Sequence, residues 1–347
     1  MERMKIQKSR LAEWVSKLQE TAKVYAPVQE GDATCFGLLP TGAEPIPEGY
    51  GNTDRPMKEV LFPQTERIVS WKRTPDGLEV SEVDEAEPTV ILGARPCDVT
   101  AVNVLDRAFS LGGIVDPYYT NRRVKTTLVS LVCPHPVPNC FGPSTGVNEL
   151  SPEGADVVLT EIDDAYVAEI KTETGQTAVD AGGDAFGAAS EDDISAAAAA
   201  GETLVGELNE QELALDGSDV RADILLKSDE WDQITQRCLS CGICAYLCPA
   251  CHCFDICDQP AKGGGERVRC YDTCSSKIYT KQAAGHNPRP TAKERLTQRV
   301  MHKFSYIPQR MDGLLGCVGC ARCRKCPVDI DLQVALSEVE VEAKESE

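Results

Sequence analysis

The sequence predicts an α/β domain with a short parallel sheet and hairpins, followed by a smaller α-helical domain built around cysteine. Three observations carry this expectation. Of the 17 cysteines in 347 residues, 13 fall between Cys238 and Cys326. Upstream, apolar runs of strand length alternate with helix-period segments, the pattern of a parallel α/β unit. Between the two lies a stretch rich in Ala, Gly, Asp and Glu, including Ala196 to Ala200, with the composition of a linker or insertion. The expected boundaries are 1–173 for the α/β domain, 174–227 for the acidic insertion, 228–337 for the cysteine-rich domain and 338–347 for an acidic tail.

Taken in order, Leu11, Trp14, Val15, Leu18 and Val24 fall roughly at helical spacing within Ser9 to Tyr25, which predicts an amphipathic helix packed on the domain that follows. Two alternating runs, Arg67 to Thr74 and Leu78 to Val83, flank Pro75-Asp-Gly and predict a hairpin. Pro88 to Ala94, Asp98 to Phe109 and Lys125 to Val132 read as strand, helix and strand. Cys97 then sits in the strand-to-helix turn and Cys133 at the next strand end, the carboxyl edge where open α/β sheets place their sites. Val157 to Ile162 and Tyr166 to Lys171, around Asp163-Asp164, predict a second hairpin. The insertion is expected to be a surface helix with loops. Ser228-Asp-Glu-Trp supplies an N-cap and early acids for a further helix.

The cysteine spacing points to metal. A disulfide framework needs an oxidising compartment, whereas Met1 to Lys8 has no apolar signal-peptide core, so a cytoplasmic protein is expected. No run of 18 apolar residues predicts a transmembrane segment. Cys238, Cys241, Cys244 and Cys248-Pro249 form CxxCxxCxxxCP, in which three thiolates wrap one face of a [4Fe–4S] cube and the fourth reaches a second cube. Zinc sites more often use two CxxC knuckles separated by a longer loop. Cys317, Cys320, Cys323 and Cys326-Pro327 repeat the theme with the last spacing shortened. Crossed ligation in this ferredoxin-like, dicluster arrangement assigns Cys238, Cys241, Cys244 and Cys326 to one cube, and Cys317, Cys320, Cys323 and Cys248 to the other. Cys251, Cys253, Cys257, Cys270 and Cys274 remain within 24 residues. They read either as free thiols or as a third metal site led by Cys251, Cys253 and Cys274, with His252 as a ligand or a hydrogen-bond partner.

Charge follows the same division. The net charge is −20, and residues 149–232 hold 23 acidic and 3 basic side chains. Residues 261–326 hold 14 basic and 4 acidic ones, without the aromatic stacking motifs of a nucleic-acid surface. Such cations offset the negative charge of thiolate-held clusters. Thr291-Ala-Lys-Glu294 is a capping box, and the helix it opens carries Arg295, Arg299 and Lys303 on one face. That face is either solvated or turned toward the clusters. No GxSxG, Walker A or GxGxxG element occurs, and Gly263-Gly-Gly265 reads as a turn. An electron carrier needs no acid, base or nucleophile, so a non-catalytic component is expected. The alternatives are a reductase with its own site in the α/β domain and a cluster-bearing scaffold or sensor.

Several segments resemble one family. Cys-Pro-Ala-Cys-His-Cys-Phe-Asp-Ile, Tyr271-Asp-Thr-Cys274, Gly285-His-Asn-Pro-Arg289, Arg299 to Tyr306 and Cys317-Val-Gly-Cys-Ala-Arg-Cys are similar to the beta subunit of soluble sulfhydrogenases and to the electron-transfer subunit of anaerobic sulfite reductases. Gly93-Ala-Arg-Pro-Cys97-Asp, Asp116-Pro-Tyr-Tyr and Arg122-Arg123 extend the resemblance across residues 55–335. It implies an electron-transfer component between a catalytic redox subunit and a flavin-containing, diaphorase-like subunit. It also implies an N-terminal cysteine group at Cys97, Cys133 and Cys140. Where the family pattern has Cys-Phe-Cys, this chain reads Cys140-Phe-Gly142, which removes one potential ligand: either Cys35 replaces it or the site is incomplete. The expected cofactors are two [4Fe–4S] clusters, with one or two more at the third and N-terminal groups.

Overall fold

The protein is described by a computed structural model covering residues 2–209 and 226–331. The expected acidic tail and part of the insertion lie outside the described residues. Two compact units result: the described residues of Met1–Leu61, Ala86–Glu212 and Val318–Ala321, and those of Phe62–Glu85, Leu213–Cys317 and Arg322–Glu347.

The first unit is an eight-stranded mixed sheet with helices. Its strands begin with β1 (Arg3–Gln7), β2 (Lys23–Glu30) and β3 (Ala33–Leu38). The strands β4 (Thr65–Thr74) and β5 (Gly77–Glu82) belong to the second unit. The sheet is completed by β6 (Thr89–Ala94), β7 (Thr126–Leu131), β8 (Val157–Ile162), β9 (Ala165–Ile170) and β10 (Phe186–Ala188), in the order β10-β1-β9-β8-β7-β6-β2-β3. The centre is parallel, through the β2–β6, β6–β7 and β7–β8 pairs, and the flanks are antiparallel. Every residue of β6 is buried, as a strand covered on both faces requires. The expected amphipathic helix is present as α1 (Leu11–Leu18), which buries Leu11, Trp14, Val15 and Leu18, but it is shorter than predicted, and Val24 and Tyr25 belong to β2. Trp14 donates its indole N–H to the Ala178 carbonyl at 2.7 Å and meets the Phe186 ring edge-on.

After the short α2 (Lys58–Leu61), the predicted strand–helix–strand is present as β6, α3 (Pro96–Ala108) and β7, with α4 (Pro117–Val124) in the connection. Beyond β9 come α5 (Glu173–Asp180) and α6 (Glu191–Asn209). Ser190 caps α6, and Lys5 pairs with Asp193 at 2.6 Å, fastening the helix to β1.

The second unit is not purely helical, contrary to expectation. It contains a four-stranded antiparallel sheet in the order β11-β12-β4-β5, where β11 is Phe254–Ala261 and β12 is Gly264–Tyr271. The glycine run forms the β11–β12 turn, and the Pro75-Asp-Gly hairpin supplies β4 and β5. The strand β11 carries no apolar alternation because seven of its eight residues are exposed, so periodicity gave no signal. A buried Arg269–Glu66 ion pair, with Nε to Oε1 at 2.6 Å, ties β12 to β4. The helical side holds Asp229–Gln236, capped by Ser228, and Ala292–Met301, opened by the Thr291/Glu294 capping box. Trp231, Ile234, Leu296, Val300, Met301 and Phe304 form their shared core. Trp231 donates to Thr297 Oγ1 at 2.8 Å inside it. No helix among the described residues is long and apolar enough to cross a membrane.

Candidate metal centres

In the second unit, Cys238, Cys241, Cys244, Cys323 and Cys326 line one pocket, with Leu239, Ile243, Leu296, Pro327 and Ile330 supplying apolar walls. The chain reaches this arrangement through a tight turn. Ser240 and Gly242 both take positive φ, and Gly242 opens the short helix Ile243–Tyr246 that carries Cys244. This helix packs against the turn Arg322–Lys325, which delivers Cys323 and leads into Cys326. The Ser240 N–H donates to Cys238 Sγ at 3.4 Å, the kind of bond that stabilises a charged sulfur. Burial pushes the Cys244 thiol pKa up, although Arg299 opposes the shift. Among the described residues no three His, Cys, Asp or Glu side chains gather closely enough to hold a single metal ion. A cube takes its thiolates at separate corners and does not require that closeness.

The cationic face of the Ala292–Met301 helix is turned inward, and the solvated alternative is overturned. Arg295, Arg299 and Lys303 are 5%, 4% and 5% exposed. Arg295 donates to Ser240 Oγ at 2.9 Å and to the Ser275, Arg289 and Pro290 carbonyls. Arg299 donates to the Cys244 carbonyl, and its charge lies near Cys244, Cys248 and Cys323. Lys303 donates to Cys248 Sγ at 3.0 Å and to the Gly316 carbonyl at 2.6 Å. Burial works against the Lys303 charge, but the neighbouring Cys248 and Cys317 sulfurs outweigh it and raise the ammonium pKa.

The five further cysteines separate into three and two. Cys253 is hydrogen-bonded to both Cys251 and Cys274. The bond to Cys251 pulls the Cys253 pKa down, but Cys274 and burial prevail and raise it, while the bond to Cys253 lowers that of Cys274. Tyr279 is also hydrogen-bonded to Cys253. His252 holds the Ala250 carbonyl through Nδ1 at 3.2 Å and lies against the His302 ring. In contrast, Cys257 and Cys270 bond to each other on the β11–β12 hairpin, where Cys257 is exposed. The register explains the pair: Asp255 faces Cys270 and Cys257 faces Val268, so the two cysteines are diagonal neighbours on one sheet face.

The first unit holds its own cysteine group. Cys97 lies in the first turn of α3 after Pro96. Cys133 follows β7, the strand beside β6, so both cysteines emerge at one sheet edge. Arg95 fixes that edge. It donates to the Gly51 carbonyl at 2.7 Å, Leu131 at 3.1 Å, Val132 at 2.8 Å and Tyr50, and its guanidinium lies over the Tyr50 ring. Cys140 is close to Glu149, Cys133 and Cys320, and receives the Gly142 N–H. Burial, then the Glu149 charge, pushes the Cys140 thiol up to about 12. Cys320 reaches this neighbourhood on the segment Val318–Ala321, where Phe141 N–H donates to the Gly319 carbonyl at 2.9 Å. Only glycine fits there: φ is +60° and a Cβ would lie 2.3 Å from the Phe141 carbonyl carbon. Cys35 has Arg55 as hydrogen-bond partner and Glu30 as a charged neighbour, and burial raises its pKa. Sequence reasoning missed Glu149 and assigned no role to Arg95. A buried acid nine residues from Cys140 carries no motif, whereas Arg95 stands within Gly-Ala-Arg-Pro-Cys97.

Residues 237–330 match a family model described as a 4Fe-4S dicluster domain. The chain is thus an iron–sulfur, metal-binding protein of the electron-transfer class. Over 344 residues it is 28% identical to "Sulfhydrogenase 2 subunit beta" of Pyrococcus furiosus, a match covering 98% of both chains. Together these findings support an iron–sulfur electron-transfer subunit of an oxidoreductase, similar along its whole length to a sulfhydrogenase beta subunit.

Proposed function

We propose that the chain relays single electrons, in the cytoplasm, between a catalytic redox subunit and a flavin-containing, diaphorase-like subunit of a hydrogenase, sulfur reductase or sulfite reductase type of complex. The observation that carries this reading is the pocket that gathers Cys238, Cys241, Cys244 and Cys326, with Cys323 also on its wall and the buried Arg299 beside it. In this reading those four cysteines hold one [4Fe–4S] cube, and Cys317, Cys320, Cys323 and Cys248 hold the other. Cys251, Cys253 and Cys274 lead a third site, and Cys97, Cys133 and Cys140 an N-terminal one.

The donor set fits such groups. Soft thiolates select iron–sulfur clusters. A bound cube accepts and returns one electron at a potential set by charge, hydrogen bonds to sulfur and burial. The protein's own residues supply those settings. Lys303 and Arg299 offset thiolate charge where water does not, Ser240 N–H bonds a ligand sulfur, and Leu296 and Ile330 exclude solvent. The relay reading is tested by offering candidate substrates and an artificial electron donor to the isolated chain. The relay predicts no turnover until partner subunits are added, and turnover by the chain alone would overturn it.

A further inference from the structure

The donor missing from Cys140-Phe-Gly142 has a substitute in the structure. A Cβ built on Gly142 would lie 2.0 Å from Glu149 Oε1 and 3.2 Å from its Cδ, so the carboxylate occupies the space of a side chain at position 142. Glu149 is 6% exposed, and Oε1 is buried with no hydrogen-bond partner. Its charge is the one felt most strongly by the Cys140 thiol, ahead of Cys133 and Cys320. A buried carboxylate oxygen without a donor is strongly unfavourable unless it takes up a proton, which burial favours by raising the Glu149 pKa to about 7, or something positive meets it. Iron accepts carboxylate oxygen as well as thiolate, and an oxygen aimed into a cysteine group meets that need. Cys35, the candidate replacement from sequence, is instead engaged with Arg55.

We propose that Glu149, through Oε1, is the fourth ligand of an iron–sulfur cluster whose other donors are Cys97, Cys133 and Cys140. This rests on the reading that the N-terminal cysteines hold a cluster. The carboxylate binds as the anion, replaces the sulfur lost at position 142 and leaves one iron differentiated from the three held by thiolates. That iron is the one released when the carboxylate is removed.

The test uses the full chain, purified anaerobically, with iron and sulfide counted and EPR spectra recorded. Four forms are compared: wild type, Cys140→Ser, Glu149→Ala, and Glu149→Ala combined with Gly142→Cys. Position 142 has φ −52°, so cysteine is sterically permitted there. The proposal predicts that Glu149→Ala loses between about one iron per chain, leaving a three-iron EPR signal, and about four, with the cluster gone. It predicts that the double variant regains them with an all-thiolate spectrum. Loss in Cys140→Ser with full iron in Glu149→Ala would overturn the Glu149 assignment and leave the N-terminal cluster standing. Full iron in both would overturn the cluster itself. Iron lost in Glu149→Ala and not regained in the double variant would overturn ligation and assign Glu149 to folding alone.

Discussion

The two cysteine neighbourhoods solve the problem of concentrated sulfur charge in opposite ways. In the second unit three cations, Arg295, Arg299 and Lys303, are buried on one helix face, and Lys303 touches Cys248 Sγ. In the first unit the charged group beside Cys140 is an acid, Glu149, while the buried Arg95 spends its donors on backbone carbonyls. Cations favour the electron-rich state of a nearby centre and anions oppose it. Under the proposed relay, a cluster in the second unit would hold an electron more readily than one in the first, and electrons would run toward the second.

The comparison can be broken most severely at the ligands. Cys244→Ala should remove about four irons per chain while the signals of the N-terminal group persist, as iron analysis and EPR will report. Loss of all signals together would mean that the two neighbourhoods are not separate. Within the second unit, Cys253→Ser should lower the iron count whereas Cys257→Ser should not, because Cys257 bonds only across the exposed hairpin. Equal losses would return the five cysteines to a single group. Arg95→Met leaves the Gly51, Leu131 and Val132 carbonyls without their donor and should destabilise the first unit by about 3 kcal/mol in denaturant unfolding, with the second unit unaffected. Lys303→Met should lower one midpoint potential in a redox titration by roughly 60 mV, a tenfold change for a one-electron couple. An unchanged potential would remove the cation from the account.

The smallest effect concerns the first unit's outer helix. The hydrogen bond from Lys5, then those from Ser190, hold the Asp193 carboxyl down to about 2, below its ordinary 3.8. The folded value is lower than the unfolded one, so this tie is fully present above the ordinary value and is lost as pH falls toward 2. Amide exchange in α6 should rise over that interval in wild type and be already raised, and flat, in Asp193→Asn.

What could be read in the sequence was what lies close along the chain. The CxxCxxC runs, the Thr291–Glu294 capping box and the β6–α3–β7 unit each complete their signal within one local stretch; the capping box and the strand–helix–strand unit have their counterparts in the structure, and one pocket gathers the first cysteine run with Cys323 and Cys326. Arg299 and Lys303 were visible as a cationic face, but their burial depends on cysteines about 55 residues away. The β11–β12 hairpin escaped because its exposed strand lacks alternation, and β12 finds β4 only through long-range pairing. Glu149 escaped for a related reason. Its meaning depends on the side-chain space at Gly142 that its carboxylate fills, which no spacing rule encodes.

The central claim, a relay with iron–sulfur clusters in both units, is tested most directly by iron and acid-labile sulfide analysis of the anaerobically isolated full chain during a reductive EPR titration. The account predicts about twelve to about sixteen irons per chain with matching sulfide, and reducible signals that Cys244→Ala and Cys140→Ser abolish separately. About eight irons, all lost through the C-terminal cysteines, would contradict it.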